Sequence, residues 1–322
     1  MSDTAVQAVL EAGGMGVARL MDRVEEQMSM LARGHGEALA RHAGDTIAAG
    51  GKRLRPLLVC LAAGVPPPET DGVVRCAVAV ELVHDATLVH DDVLDGSALR
   101  RGRPTVVATG GRSLATATGD LLFSRAFAVL AQGGTAATVA VLSRASCELA
   151  LGELMQRADS WQAEVTVERY LERCRLKTAV LFRAACELGA LEGGEMPEPL
   201  GTFGEQIGVA FQILDDVLDV SGPPERTGKP RGADLRDGTV TLPLIIARRR
   251  DPVLASLDLR AVGGATDSDW ICERIDASGA LLEAKSQALE MVSAAKAVLG
   301  ALPGGQRSAL ELVADGVVER YA

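Results

Sequence analysis

Several residue types and patterns that would fix the class of this chain are scarce or missing. Aromatic residues are only 3% of its 322 residues while hydrophobic residues are 48%, so Ala, Leu and Val carry the apolar content. Few segments hold enough Ile, Tyr, Phe or Thr for strands, and small and γ-branched residues favour helices packed on helices. Net positive charge is absent. The formal charge of −10 excludes nucleic acid as a partner, because phosphate backbones are met by clustered Lys and Arg. It does not exclude a diphosphate ligand, which a few local cations or a metal can hold.

Cysteine spacing is uninformative in a useful way. Cys60, Cys76, Cys147, Cys174, Cys186 and Cys272 include no C-x-x-C pair, which argues against zinc and for reduced core thiols of a cytoplasmic protein. The opening MSDTAVQAVLEAGG has neither the basic start nor the apolar run of a signal peptide. No apolar run reaches the ~18 residues of a membrane span, so the expectation is a soluble chain with no transmembrane segment.

What is present is helical periodicity, broken by Gly and Pro at GVPPPET (64–70), RGRPTVVATGGRS (101–113), Gly133-Gly134, LEGGEMPEP (191–199), SGPPERTGKPRGADLRDGT (221–239) and PGG (303–305). The intervals suit helices of roughly 12–30 residues. No break is long or polar enough for a linker. The chain therefore reads as one all-α domain over residues 1–322, a helical bundle, with residues 1–20 as a segment that frays. Thr202 and Glu205 form a T-x-x-E pattern that predicts the start of the helix leading to Asp215.

The pentapeptide Asp-Asp-Val-Leu-Asp occurs twice, at Asp91–Asp95 and Asp215–Asp219, each time closing an apolar helical run. On a helix, positions i and i+4 share a face, so Asp91 with Asp95, and Asp215 with Asp219, aim two carboxylates one way. Packed carboxylates repel one another and lose hydration unless a cation compensates. Mg²⁺ suits them, because it takes hard oxygens and completes its shell with substrate phosphate. A single such cluster is equally a solvated helix end. Two identical ones, each before a Gly-rich loop, point to metal.

Cations flank both clusters. Gly51-Lys52-Arg53-Leu54-Arg55-Pro56 puts three basic residues at a helix start, where backbone N–H groups also favour an anion. Arg100, Arg101 and Arg103 follow the first cluster, and Lys229 follows the second. Only five of the 33 Lys plus Arg are Lys (Lys52, Lys177, Lys229, Lys285 and Lys296), and a lysine kept where Arg is the default marks a need for a compact charge. Lys285 and Lys296, in an Ala-rich helix, read as ordinary surface residues.

In this order, GGKRLRP, HDATLVHDDVLDGSALRRGRPT, LKTAVLF, FQILDDVLD and GKPRGADLRDGTVTLP resemble the trans-polyprenyl diphosphate synthase family, especially its long-chain members, over about residues 40–250. The resemblance implies mostly antiparallel helices around a deep central cavity, usually in a homodimer. It implies condensation of isopentenyl diphosphate with an allylic diphosphate, with three Mg²⁺ ions once substrate is bound and a product that is handed to membranes. By it, Asp91, Asp95 and Asp215 ligate metal, and Asp92, Asp216 and Asp219 support them. Lys52, Arg55, His84 and Arg101 bind isopentenyl diphosphate, and Arg100, Lys177, Thr178, Gln212 and Lys229 line the allylic site. Asp91, Asp95, Asp215, Lys177 and Gln212 form the catalytic set.

Thr239 departs from the family pattern D-L-x-x-G-K-x-T-L-P, where a lysine stands, so one cation near the allylic diphosphate is missing. Short-product relatives place an aromatic ring four or five residues before the first cluster. Ala86 and Thr87 occupy those positions here, which predicts a product longer than geranylgeranyl diphosphate, unless Phe123 or Phe127 supplies a floor. His90 is expected to be structural. Two alternatives stand beside this: a terpene cyclase, which usually pairs one Asp-rich motif with an Asn/Ser/Glu motif, and a non-catalytic subunit of a heteromeric synthase, which tends to lose an Asp cluster.

Overall fold

The computed structural model describes residues 3–33, 42–44, 46–47, 51–100, 102–222, 231–262 and 265–319. The described residues are nearly all helical. Helices α1 (Asp3–Arg33), α2 (Leu54–Ala62) and α3 (Asp71–Asp95) come first, then a two-residue antiparallel ribbon, Leu99–Arg100 against Arg103–Pro104. Helices α4 (Val106–Ala131) and α5 (Ala136–Asp159) follow. Next, α6 (Val167–Cys174) runs through a π-helical turn, Arg175–Ala179, into α7 (Val180–Gly193). Helix α8 (Pro197–Ser221) carries the second cluster. The chain ends in α9 (Ala233–Arg236), α10 (Leu242–Arg250), α11 (Pro252–Ala255), α12 (Ala265–Ala277), α13 (Ala280–Val298) and α14 (Gly304–Glu319).

Threonine starts four of these helices. Thr70, Thr105, Thr135 and Thr166 each accept a hydrogen bond from the backbone N–H three residues on, which typically contributes about 1 kcal/mol per helix. Thr202 does not cap. Helix α8 already starts at Pro197, where the missing proline N–H costs nothing, and the Thr202 hydroxyl bonds back to the Glu198 carbonyl inside the helix. Residues 3–20, expected to fray, are the first half of α1, and Val9, Val17 and Leu20 are buried against the bundle.

Helix α3 is central. Its Val73, Val74, Ala77, Val78, Leu82 and Val83 are buried, and it packs against α1, α2, α4 and α7. Helix α8 is buried along most of its length between α7 and α13. Two core helices thus carry the two clusters to their C-terminal ends. By length and composition α4 could pass for a membrane span, but Arg112, Asp120 and Arg125 interrupt its apolar residues, and in the bundle it lies along α3. Among the thiols Cys147 is exposed, whereas the other five are buried.

Candidate active site

The C-terminal ends of α3 and α8 line one cleft of about 280 Å³. Asp91 and Asp95 face it from α3, and Asp215 and Asp216 from α8. The first cluster is surrounded by cations. Lys177 Nζ lies 2.5 Å from Glu153 and 3.8 Å from Asp91, and Arg157 bridges Asp95 at 2.8 Å and Glu153 at 2.7 Å. Burial pushes the Asp91 carboxyl up from its ordinary 3.8 to about 6; Lys177 opposes that shift, while Glu153 and Asp95 add to it. Asp92 turns away from the cleft, bonded to Arg100 at 2.9 Å beside a second cavity of about 310 Å³.

Lys177 reaches this position because it sits in the π-helical turn, whose extra residue re-aims the side chain. The turn packs directly on α5: a Cβ at Gly152 would come within 2.6 Å of the Lys177 backbone nitrogen, so glycine is required there.

The second cluster is held by neutral donors. Tyr170 donates to Asp216 at 2.6 Å and the Gln212 amide donates to its other oxygen at 2.8 Å. Burial raises the Asp216 pKa, and these two hydrogen bonds counter the rise. The Thr178 hydroxyl donates to the Gln212 carbonyl oxygen at 2.7 Å. Asp219, expected beside Asp215, instead accepts from the Ala233 and Asp234 N–H groups at 3.1 and 3.3 Å and is not on the cleft wall. The loop it ties down contributes Asp234 and Thr239 to that wall.

Of the residues expected to bind isopentenyl diphosphate, Arg55 and His84 line the cleft, with the Arg55 guanidinium 4.7 Å over the Phe182 ring. Lys52 does not; it is half-exposed and 3.7 Å from Asp3 of α1. Arg53, the middle cation of that motif, is buried in a left-handed backbone conformation and paired with Glu25 and Glu81 at 2.7 and 3.0 Å. Arg100, Lys177, Thr178 and Gln212, expected at the allylic site, all line the cleft. Arg101 and Lys229 lie outside the described residues.

A larger, mostly apolar cavity of about 500 Å³ shares Thr87, Asp91, Leu149 and Lys177 with the cleft. Thr87 is on its wall. Ala86 is fully buried and not on it, because one residue along a helix is a turn of about 100°. Phe123 supplies a ring to this wall, and His90, expected to be structural, stacks on that ring at 5.8 Å between centroids.

Sequence inspection missed Glu153, Arg157, Tyr170, Arg173 and Asp234. Two signals were available: Glu153 and Arg157 are an i,i+4 charge pair, and Tyr170 is one of only two tyrosines in the chain.

Carboxylate clusters and cations on one cleft, beside a partly open apolar cavity in a helical bundle, define a diphosphate-handling enzyme for apolar substrates. The polyprenyl synthetase family profile matches residues 37–267. Heptaprenyl diphosphate synthase component 2 of Geobacillus stearothermophilus is 42% identical over 248 residues, 76% of this chain and 77% of that one. A short chain isoprenyl diphosphate synthase of Methanothermobacter thermautotrophicus is 36% identical over 93% of this chain and 94% of its own length. Among solved structures, a Caulobacter crescentus polyprenyl synthase complexed with calcium and isoprenyl diphosphate matches with TM-score 0.88, at 37% identity over 100% of this chain and 98% of that one. The chain belongs to the polyprenyl synthetase family and is a prenyltransferase that elongates prenyl diphosphates head to tail.

Proposed function

We propose that the enzyme uses magnesium to condense isopentenyl diphosphate with an allylic diphosphate, giving an all-trans polyprenyl diphosphate longer than geranylgeranyl. The observation that carries this is the meeting of both aspartate clusters on one cleft beside an apolar cavity. The donors fit magnesium: all are hard carboxylate oxygens, and burial of Asp91 calls for a compensating cation. Among the described residues no three acidic, His or Cys side chains converge on one metal point, so the ion would need ligands from the substrate as well. Asp91, Asp95 and Asp215 would hold it, and magnesium there would supply Lewis-acid neutralisation of leaving-group charge.

The protein's own groups account for the other steps. Lys177 and Arg100 hold the allylic diphosphate as its C–O bond breaks and it keeps the electron pair. Gln212, whose amide N–H donates to Asp216, offers its carbonyl oxygen with the Thr178 hydroxyl to the allylic cation. Arg55 and His84 hold isopentenyl diphosphate, whose double bond attacks that cation; a proton then passes from the new chain to the released diphosphate. The tail grows past Thr87 towards the His90–Phe123 stack. Length control therefore belongs to Thr87 and Phe123 rather than Ala86.

A second copy of the chain suits the exposed apolar side of α5, where Leu151 and Leu154 are 56% and 67% exposed. The component name of the Geobacillus relative favours a second arrangement, with an auxiliary subunit. Both clusters and their cations are nonetheless on this chain, which supports catalysis here. The test is incubation of the chain alone with labelled isopentenyl diphosphate, Mg²⁺ and a series of primers, followed by chromatography of the hydrolysed products. Linear alcohols beyond geranylgeraniol are expected. Cyclic hydrocarbons, or no condensation, would contradict the proposal.

A further inference from the structure

Arg173 on α6 is 4% exposed yet lines the cleft. Three contacts fix its guanidinium. Nη1 is 3.4 Å from Asp159, Nη2 donates to the Val240 carbonyl, and the group sits 5.5 Å from the centre of the Tyr170 ring. Tyr170 is the residue that donates to Asp216 of the second cluster. One side chain thus links the end of α5, the loop carrying Asp234 and Thr239, and the partner of a cluster aspartate.

Asp159 is shared: it also receives Arg169 at 2.5 Å, and Arg169 is about half-exposed, whereas Arg173 is buried and also acts on the Asp216 carboxylate. A buried charge is screened by salt far less than an exposed one. An arginine cannot shed its charge at any working pH. Lys177 and Arg100 stand with the first cluster, Lys177 beside Glu153 and Asp91 and Arg100 beside Asp92, whereas Arg173 stands with the second.

The same loop is braced a second time. The Trp161 backbone N–H donates to the Gly238 carbonyl at 2.8 Å, and the indole lies against Gly238, where a Cβ would come within 2.3 Å of the ring. Gly238 has φ 73°, so glycine is required there on both counts. The next residue is Thr239, which has no charge to offer.

We propose that Arg173 takes the place of the lysine absent at position 239, as a positioning residue that pins the 232–241 wall and brings positive charge to the allylic diphosphate at the second cluster. The proposal rests on the diphosphate-binding role given to the cleft above. The test measures KM separately for the allylic diphosphate and for isopentenyl diphosphate in wild type, Arg173→Met, Thr239→Lys and the double variant. Arg173→Met leaves Asp159 paired with Arg169, so it does not strand a buried carboxylate.

Arg173→Met is expected to raise the allylic KM about tenfold, the size of one charge-assisted contact, and to leave the isopentenyl KM within about twofold. Thr239→Lys in that background should recover most of the loss; in wild type it should lower the allylic KM only about twofold, because the charge is already supplied. Arg173→Lys, which keeps the charge and is the variant to use if Arg173→Met does not fold, should stay within about threefold of wild type. An unchanged allylic KM in Arg173→Met overturns the proposal. So do equal rises in both KM values with no recovery in the double variant, which would make Arg173 a structural strut only. A wild type that makes no condensation product removes the function itself. An active wild type with an indifferent Arg173→Met removes only this role.

Discussion

The two copies of Asp-Asp-Val-Leu-Asp have the same sequence and different surroundings. On α3, Asp91 faces Lys177, Asp92 is bonded to Arg100 and Asp95 to Arg157, so all three carboxylates have cationic neighbours. On α8, Asp216 is held by a tyrosine hydroxyl and a glutamine amide, and Asp219 by two backbone N–H groups. Identical pentapeptides thus make one wall paired side chain by side chain with cations and one held by hydrogen bonds from neutral donors, with Arg173 as a charged neighbour of Asp216. The charge of a carboxylate cluster is set by what packs against it, and the pentapeptide alone says little about it.

The largest effect that would break this comparison is loss of either cluster. Asp91→Ala and Asp215→Ala should each lower turnover by about a thousandfold or more with the helical circular dichroism unchanged, because each removes a proposed metal ligand. Near wild-type turnover in one variant would reduce the site to a single working cluster.

The two kinds of surroundings differ next in size of effect. Lys177→Met removes a charge from the first wall and should cost about a hundredfold in kcat/KM. Tyr170→Phe removes a neutral hydrogen bond from the second and should cost about tenfold or less. Steady-state kinetics of the two variants side by side checks the order. A reversal would mean that the hydrogen-bonded wall, and not the cationic one, carries the developing charge.

Product length comes third. Thr87→Phe, on the wall that the cleft and the 500 Å³ cavity share, should block the cavity and shorten the product while condensation continues, since the aspartates and cations of the cleft are unchanged. Phe123→Ala should lengthen it. Chromatography of the dephosphorylated products reads both, and an unchanged distribution in both would place the floor elsewhere.

The smallest expected effect is on stability. Asp91 has a folded pKa of about 6 against an ordinary 3.8, so the folded protein binds the proton more tightly than the unfolded chain. Its contribution to metal-free stability is therefore complete below about pH 4 and is lost as pH rises through about 6. Thermal unfolding of the metal-free wild type should lose more Tm between pH 5 and pH 7, by a few degrees, than that of Asp91→Asn. Identical slopes would show that Asp91 is not strained by burial.

Much of this was legible in the sequence. Helical content followed from residue type and spacing, and both clusters and the Arg100, Lys177 and Gln212 neighbourhood were identifiable from motifs. Three things were not legible, for physical reasons. A heptad-like pattern cannot register a π-helical turn, so the aim of Lys177, and with it Glu153 on a distant helix, depended on tertiary packing. The i,i+4 rule put Asp219 beside Asp215, but unpaired backbone N–H groups at Ala233 and Asp234 claimed its oxygens. Neighbouring helical positions face different ways, so Thr87 lines the cavity and Ala86 does not. In the GGKRLRP run, composition made Lys52, Arg53 and Arg55 equivalent, whereas the fold buries one, exposes one and brings one to the cleft.

The central claim is that the two differently surrounded clusters form one metal–diphosphate site, and binding tests it without turnover. Calorimetric titration of Mg²⁺ into wild type, Asp91→Asn and Asp215→Asn, each with and without inorganic pyrophosphate, is the direct measurement. The prediction is tight Mg²⁺ binding only when pyrophosphate is present, weakened in both variants. Binding as strong in either variant as in wild type, or strong binding without pyrophosphate, would contradict a shared site.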